Sequence, residues 1–178
     1  VSYCATCDGA FFRNKVTAVV GGGDVALEDA IFLARMCRKV YVIHRRDEFR
    51  GAKSLQENLL AQENVEILWD TVAEAVEGDD RVEHLRIRNV KTDKMDRLEI
   101  DGLFIAVGIT PTSQAFAGLV EMDHGYIKAE EDCATSVPGI FAAGDVRTKQ
   151  LRQIITAAAD GANAVTSVER YLTEHREA

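Results

Sequence analysis

The amino-acid sequence predicts an α/β protein whose core is a doubly wound parallel sheet. Two short apolar runs, residues 15–21 and 39–44, are each followed by a stretch with apolar residues at helical spacing, residues 25–36 and 52–63. Strands that alternate with helices form parallel sheets, because each helix carries the chain back to the start of the next strand. The wholly apolar run 103–107 predicts one more buried strand of the same sheet.

A small antiparallel meander is predicted after the third strand, which covers residues 65–68. The meander consists of three extended segments, at residues 73–77, 82–90 and 97–100. The turn sequences GDD at 78–80 and TDK at 92–94 separate them, and such polar turns favour hairpin connections.

The alternation of apolar strands and helices ends at Gly108 and Pro111. Polar loop residues follow, with a short strand pair around residues 125–127, a strand at 139–143 and a long Ala-rich helix at 150–172. We therefore predict two regions, residues 1–110 and residues 111–178.

The composition excludes several classes of partner. Lys and Arg number 21 against 29 Asp and Glu, which gives a net charge of −8 and argues against a surface for nucleic acid or anionic lipid. The longest apolar runs, such as residues 16–20, are far shorter than the roughly 18 residues of a membrane span. We expect a cytoplasmic protein that binds neither nucleic acid nor membrane. Because the chain begins at Val1 without Met, we also expect that this is not a natural start.

A glycine-rich turn joins the first predicted strand to the first helix. Its sequence fits G-x-G-x-x-A, with Gly21, Gly23 and Ala26 at the defining positions and Asp24 at the mouth of the helix. In Rossmann-like sheets the first glycine makes the turn and the second lets a pyrophosphate approach the backbone, while the small third residue allows close packing of helix on strand. The turn therefore predicts a dinucleotide site; the alternative is a connection without a ligand.

Basic residues follow the second predicted strand, where an NAD site usually offers a carboxylate. They are His44, Arg45, Arg46 and Arg50, and His44 follows Gly21 by 23 residues. Guanidinium groups bind a 2′-phosphate in bidentate fashion, so this segment predicts NADPH rather than NADH. A solvated basic face is the alternative. We interpret the nearby Asp47 and Glu48 as solvated or helix-entry residues, because they lie beyond the end of the strand.

Two of the four cysteines form the motif Cys4-Ala5-Thr6-Cys7, which precedes Asp8. A single CxxC pair favours a reversible redox disulfide, for which Asp8 is a candidate general acid or base. The competing interpretation is zinc, but the other Cys and His residues show no matching ligand spacing, so we predict no metal site. A thioredoxin-type fold is disfavoured because neither Trp nor Pro flanks the pair. We expect Cys37 and Cys133 to be buried fillers.

These motifs together resemble bacterial thioredoxin reductases. The resemblance rests on CATCDG at 4–9, GGGDVALEDA at 21–30, HRRDEFR at 44–50 and FAAGDV at 141–146, and it covers essentially the whole chain. It implies that residues 1–110 are the NADPH-binding domain and residues 111–178 the C-terminal segment of an FAD-binding domain. It also implies flavin-binding roles for Gly144, Asp145, Arg152 and Gln153. The sequence departs from the family at Val25 and Ile154, where small residues are usual.

The resemblance implies the activity of a thioredoxin-disulfide reductase. Electrons would pass from NADPH through FAD to the disulfide of Cys4 and Cys7 and then to thioredoxin. In the family Cys7 faces the flavin and Cys4 attacks thioredoxin, with Asp8 as proton donor. The full-length protein is expected to be a homodimer whose NADPH domain rotates about a hinge near residues 107–112.

The absence of a second glycine-rich motif from the sequence leaves an alternative function open. The sequence has no second G-x-G-x-x-G motif, with which the family holds the FAD pyrophosphate, so we expect that this chain does not retain FAD by itself. The alternative function is then an isolated NADPH-binding module with a redox-capable disulfide and no turnover. A zinc-binding regulatory domain is a third hypothesis.

Overall fold

The computed structural model describes residues 1–175 and divides the chain into two compact units. The first unit comprises Val1–Gly108, and the second begins at Ile109. None of the helices formed by the described residues is long and apolar enough to cross a bilayer.

A four-stranded parallel sheet forms the centre of the first unit, as the alternating pattern predicts. Its strands lie in the order β3-β2-β1-β7 and are β1 (Val16–Gly21), β2 (Lys39–Ile43), β3 (Val65–Leu68) and β7 (Gly102–Ala106). The register pairs Val19 of β1 with Val42 on one side and with Phe104 on the other. The carboxyl ends of β1, β2 and β7 therefore meet at one edge, where α/β sheets bind their ligands.

Helices cover one face of the parallel sheet. They are α1 (Ala5–Asp8), α2 (Asp24–Ala34) and α3 (Lys53–Leu60). Leu27, Leu33 and Leu59 are fully buried from the helix side against Val19 and Phe104 of the sheet. Each large apolar side chain buried in this way contributes roughly 1.5–3 kcal/mol, so this layer fixes the helices on the sheet.

The predicted meander is confirmed and covers the opposite face. Its strands pair antiparallel in the order β4-β5-β6 and are β4 (Thr71–Glu77), β5 (His84–Asn89) and β6 (Met95–Glu99). Leu85 and Ile87 of β5 pack with Ala18, Ile43 and Leu103 of the parallel sheet in a second core. The meander therefore takes the place of helices on this face.

The chain enters the first unit along β7. Ser2 donates its N–H to the carbonyl of Leu103 (2.8 Å) and accepts the N–H of Ile105 (2.9 Å). A 3-10 turn, Gly9–Phe12, follows α1 and places the Phe12 ring edge-on against Phe104 at 5.3 Å. These contacts fix the CxxC segment on the helical face.

The second unit is mostly irregular and packs around Val120, Ile127, Ala129 and Ala142. Its regular elements are 3-10 turns at Gln114–Phe116 and Gly144–Val146, the strand pair β8 (Met122–Asp123) and β9 (Tyr126–Ile127), and α4 (Ile154–Glu174). The strand pair confirms the prediction around residues 125–127.

Two sequence predictions for this unit are wrong. Residues 139–143 form no strand, because Phe141 makes only an isolated bridge to Ala134, while the N–H of Ile140 turns back to the carbonyl of Val137 (3.1 Å). The long helix begins at Ile154 rather than at residue 150, so Asp145 does not lie directly before it but in the 3-10 turn Gly144–Val146.

Candidate functional site

A cavity of about 390 Å³ opens where the carboxyl ends of β1, β2 and β7 meet, and we call it the glycine-turn cavity. Among the described residues, its walls carry backbone, apolar, hydroxyl and basic groups and no carboxylate. Its walls are formed by Val20, Gly21, Gly22, Ile43, His44, Arg45, Arg50, Thr71, Val72, Ala73, Ile105, Ala106 and Val107. Of the site residues predicted in the first unit, the structure thus brings together Gly21, His44, Arg45 and Arg50.

The two glycines of the predicted motif have different tasks. Gly21 has a φ of +155°, and a Cβ there would overlap the carbonyl oxygen of Ala106 and lie 2.6 Å from the Cβ of Ala26. Gly23 precedes α2 with a φ of −97°, and no atom would lie within 4 Å of a Cβ built there. Gly21 and Ala26 therefore permit the close packing of helix and strand, whereas Gly23 leaves open space at the helix N-terminus.

This difference predicts opposite effects of two alanine substitutions. Gly21→Ala should lower the free energy of unfolding by about 2–3 kcal/mol, because it combines a disfavoured φ with steric overlap. Gly23→Ala should change it by less than about 1 kcal/mol and weaken the predicted binding of NADPH at least about tenfold, since the methyl group would take the space that the predicted site leaves for a pyrophosphate. Urea unfolding and nucleotide titration of both variants check this. An unstable Gly23→Ala variant would show that this position is structural.

His44 lies between the glycine turn and an aromatic cluster. It is buried, a Cβ at Gly22 would overlap its ring, and Phe49 and Trp69 lie with ring centroids 5.5 and 6.2 Å away. Burial lowers the pKa of His44, a backbone hydrogen bond with Glu48 opposes this, and the charges of Arg46 and Arg50 lower it further. Its buried Nε2 has no hydrogen-bond partner among the described residues, which leaves it available to a ligand in the cavity.

The three predicted arginines are not equivalent. All three side chains are exposed, but Arg45 and Arg50 line the cavity, whereas Arg46 lies outside its wall. Within residues 1–175, none of the three forms an ion pair with a carboxylate. Unpaired guanidinium groups beside a cavity without acids are suited to an anion such as a phosphate.

Asp24 helps to hold residues 45–50, which we call the arginine segment, against the glycine-rich turn at residues 21–23. Its Oδ1 accepts the N–H of Ala52 (2.7 Å), and the N–H groups of Arg50 and Gly51 point to the carbonyl of Gly22 at 2.8 and 3.2 Å. These three bonds fix the position of Arg50 relative to the turn. A contact of Asp24 with a cofactor stays a prediction.

The cysteine pair forms a disulfide in the first unit. Cys4 and Cys7 have Cα atoms 5.3 Å apart; Cys7 is exposed and Cys4 is half-buried. The N–H of Cys7 donates to the Sγ of Cys4 (3.1 Å), because α1 begins at the intervening Ala5. Asp8 is half-buried at the end of this helix.

The other cysteines are buried, as predicted: Cys37 donates to the carbonyl of Phe12 (3.4 Å) and Cys133 to that of Asp160 (3.3 Å). In the part of the chain that the structure describes, no group of three or more His, Cys, Asp or Glu residues has the arrangement of a metal site.

Asp29 is a candidate that sequence reasoning missed. It lies on α2, where its carboxyl group faces the N–H of Ala5, the residue after Cys4. Burial raises its pKa to about 6, the Ala5 N–H opposes this, and the charge of Glu28 adds to it. Nothing in the local sequence marks Asp29, because its position beside the disulfide arises from the packing of α1 on α2.

The raised pKa of Asp29 predicts a pH-dependent stability. Between about pH 4 and 6 the folded protein binds more protons here than the unfolded chain, so its stability falls as the pH rises through this window. Asp29→Asn should remove that fall and raise the free energy of unfolding at pH 7 by about 1–2 kcal/mol, a value reduced for partial exposure. Urea unfolding at pH 4 and 7 tests this, with Glu57→Gln on the exposed face of α3 as control. Equal pH dependence of Asp29→Asn and the parent chain would contradict it.

The predicted flavin residues all lie in the second unit. Asp145 is exposed, and its carbonyl accepts from the Nε of Arg152 at 3.4 Å. The guanidinium of Arg152 lies over the Tyr126 ring, 3.9 Å from its centroid. The Gln153 side chain caps α4 through the backbone of Thr156. Roles of these residues and of Gly144 in binding flavin stay predictions.

A buried ion cluster holds the Gly144–Val146 turn against α4. Asp160 is 4% exposed and accepts from Arg147 Nη2 and Lys149 Nζ, both at 2.7 Å, and from the N–H of Gly144 at 2.9 Å. The hydrogen bonds from Arg147 keep the pKa of Asp160 well below its usual range, against the effect of burial. The cluster fixes the segment that carries Gly144 and Asp145.

The chain is similar in sequence and in structure to known thioredoxin reductases. The chain is similar to the thioredoxin reductases of Peptoclostridium litorale (44% identity over 98% of this chain and 58% of that protein) and Bacillus subtilis (44%, over 99% and 57%). It is also similar to the crystal structure of thioredoxin reductase from Streptococcus pyogenes, with a TM-score of 0.92 and 46% identity over 97% of this chain and 57% of that one. The chain thus spans little more than half the length of these relatives. The resemblance to bacterial thioredoxin reductases is confirmed. The family model described as "Pyridine nucleotide-disulphide oxidoreductase" matches residues 1–161, and the chain belongs to that family.

Proposed function

We propose that the chain acts in the NADPH-dependent reduction of the thioredoxin disulfide. In this proposal residues 1–110 bind NADPH and carry the redox-active pair, and residues 111–178 contribute the C-terminal segment of an FAD-binding domain. The observation that carries it is the presence, in one compact unit, of the disulfide of Cys4 and Cys7 and of a glycine-turn cavity with basic and no acidic walls. Thioredoxin is the proposed partner, the cytoplasm the proposed location and a homodimer the proposed state of the full-length protein.

The cavity residues fit a 2′-phosphorylated dinucleotide. The open space at Gly23, next to the N-terminus of α2, leaves room for a pyrophosphate. Arg45 and Arg50 supply guanidinium groups for the 2′-phosphate, and the buried Nε2 of His44 lacks a partner that a ligand could provide. A carboxylate in the same wall would repel that phosphate, and none is present.

FAD, when bound, would supply a two-electron carrier between NADPH and the disulfide. Asp145, Arg152 and Gln153 are the residues that we assign to it in the second unit, with Gly144 in the same turn. The buried ion pairs of Asp160 hold that turn in place, which supports a binding role for it.

The contacts of the cysteine pair support the order of thiol–disulfide steps that the resemblance implies. On reduction the disulfide takes up two electrons and two protons and becomes two thiols. The Cys7 N–H at 3.1 Å from the Cys4 Sγ favours a thiolate at Cys4, so Cys4 attacks a sulfur of thioredoxin disulfide and the other thioredoxin sulfur leaves as a thiolate. Cys7 then attacks the Cys4 sulfur, which restores the disulfide and releases reduced thioredoxin. Asp8, and Asp29 with its pKa of about 6, are the nearby acids for proton transfer.

The test uses the 178-residue chain with oxidised thioredoxin, added FAD and either NADPH or NADH. FAD is kept in excess because we expect that the chain does not retain it by itself. Under these conditions we expect thiols to appear on thioredoxin with NADPH, much more slowly with NADH, and not at all without added FAD. Cys37→Ser should leave this rate unchanged, whereas Cys4→Ser should abolish it. Tight NADPH binding without thiol release, even with FAD in excess, would contradict turnover and favour the alternative of a binding module.

A further inference from the structure

Lys91, in the turn between β5 and β6, forms ion pairs with two aspartates, Asp47 and Asp70. Its Nζ lies 2.9 Å from Oδ2 of Asp47 and 3.0 Å from Oδ2 of Asp70. Asp47 belongs to the segment that carries Arg45, Arg46 and Arg50. One ammonium group of the meander thus holds an acid of the arginine segment.

The backbone fixes the meander beside the arginine segment. Asp70 donates its N–H to the carbonyl of Arg46 (3.1 Å), and Thr71 donates to that of His44 (2.9 Å). The N–H of Val90 donates in turn to the carbonyl of Asp70 at 2.6 Å. Lys91 follows directly, so its ammonium group is placed by backbone bonds on both sides.

The turn that presents Lys91 is itself ordered by a side chain. Asn89 Oδ1 accepts the N–H groups of Lys91 and Thr92 at 3.1 and 3.0 Å. The Asp70 side chain is only 16% exposed, so Lys91 has one sheltered partner and one solvated partner in Asp47. The pKa of Asp47 is lowered and that of Lys91 is raised, each by their mutual hydrogen bond first, which is consistent with a formed pair.

The position of Asp47 makes this pair relevant to the nucleotide. Asp47 follows Arg46 directly and precedes Arg50 by three residues. A carboxylate released there could pair with these guanidinium groups and compete with a 2′-phosphate for the same donors. In the structure Asp47 pairs with Lys91, and none of the three arginines has a carboxylate partner within residues 1–175.

We propose that Lys91 is a positioning residue for cofactor selectivity: it holds Asp47 away from the arginines and so leaves them to the 2′-phosphate of the nucleotide. The inference rests on the proposed NADPH site and deepens it. Lys91 itself does not contact the nucleotide in this proposal; it acts through Asp47.

The test compares two nucleotides that differ in the 2′-phosphate, adenosine 2′,5′-bisphosphate and adenosine 5′-monophosphate, by calorimetric titration of the full chain. Lys91→Met should weaken the bisphosphate about three- to fivefold, the range of a partly exposed ion pair, and leave the monophosphate unchanged. Lys91→Arg should retain wild-type affinity. Lys94→Met is the matched control, because Lys94 lies in the same turn and, among the described residues, its ammonium group pairs with the exposed Asp96 alone, at 3.8 Å.

The double variant Asp47→Asn/Lys91→Met distinguishes a role of Lys91 in positioning Asp47 from an effect of Lys91 on the stability of the fold. Without the carboxylate there is no competitor for the arginines, so the double variant should recover the affinity for the bisphosphate. Equal weakening of both nucleotides, or no recovery in the double variant, would overturn the proposal. If the wild-type protein does not discriminate between the two nucleotides, the proposed NADPH site is wrong. If Lys91→Met discriminates between them as strongly as the wild-type protein does, only the role of Lys91 is overturned.

Discussion

Replacing Arg45 and Arg50 together by Ala is expected to weaken NADPH binding about 100-fold and to change NADH binding less than about threefold. Both side chains line the glycine-turn cavity, and each charge-assisted hydrogen bond to a phosphate is worth roughly 1.5–3 kcal/mol. NADH lacks the 2′-phosphate, so it loses none of these bonds. Fluorescence of Trp69, the single Trp, measures both affinities because its ring contacts His44 of the cavity wall.

Two further variants sharpen this result. Arg46→Ala should have a smaller effect than Arg45→Ala, since Arg45 lines the cavity and Arg46 lies outside its wall. Arg81→Ala, at a side chain that is 83% exposed in a meander turn, should leave both affinities unchanged. Parallel losses for NADPH and NADH in the double variant would show that the arginines do not recognise a 2′-phosphate.

Asp160→Asn is expected to lower the free energy of unfolding of the second unit by about 3–5 kcal/mol. The substitution leaves the guanidinium of Arg147, which is 8% exposed, without its carboxylate, and breaking a buried ion pair from one side costs about this much. The measurement is urea unfolding followed by circular dichroism, to which the 21-residue helix α4 contributes strongly.

The matched control for this variant is Glu121→Gln. Glu121 also pairs with a lysine, Lys128 at 3.0 Å, but both side chains are more than half exposed, so we expect a change of at most about 1 kcal/mol. If Asp160→Asn were as mild as Glu121→Gln, the buried cluster would not stabilise the Gly144–Val146 turn.

The same cluster predicts acid sensitivity of the parent chain. Because the pKa of Asp160 is lower in the folded than in the unfolded state, its contribution is fully present above about pH 4 and is lost as the pH falls below the ordinary Asp value. Asp160→Asn should therefore lose less stability than the parent between about pH 4 and 2.

The parallel sheet could be predicted because the pattern that indicates each strand lies within a short stretch of the sequence. The runs around Val19 and Val42 are apolar on both faces, and each precedes a helical pattern, which is the pattern of a buried parallel strand. The run at 139–143 is equally apolar and forms no strand, because a strand requires a pairing partner and only Phe141 finds one, in Ala134. Apolarity indicates burial, while pairing depends on distant parts of the chain.

The candidate site likewise has one part that the sequence marks and another part that arises only from the packing of distant elements. Gly21, Ala26, Arg45 and Arg50 are marked by spacing along the chain, and the structure brings Gly21, Arg45 and Arg50 to one cavity, with Ala26 packed against Gly21. The other wall, formed by residues 71–73 and 105–107, comes from elements far along the sequence. The parallel topology implies a contribution from the carboxyl end of β7, whereas the contacts of Lys91 and Asp29 depend on how the meander and α1 pack.

The central claim is that the glycine-turn cavity receives a dinucleotide with a 2′-phosphate. The most direct measurement is side-by-side titration of the unmodified 178-residue chain with NADPH and NADH at one ionic strength. We expect NADPH to bind at least about tenfold more tightly, with the difference shrinking as salt screens Arg45 and Arg50. Equal affinities, or tighter binding of NADH, would contradict the account.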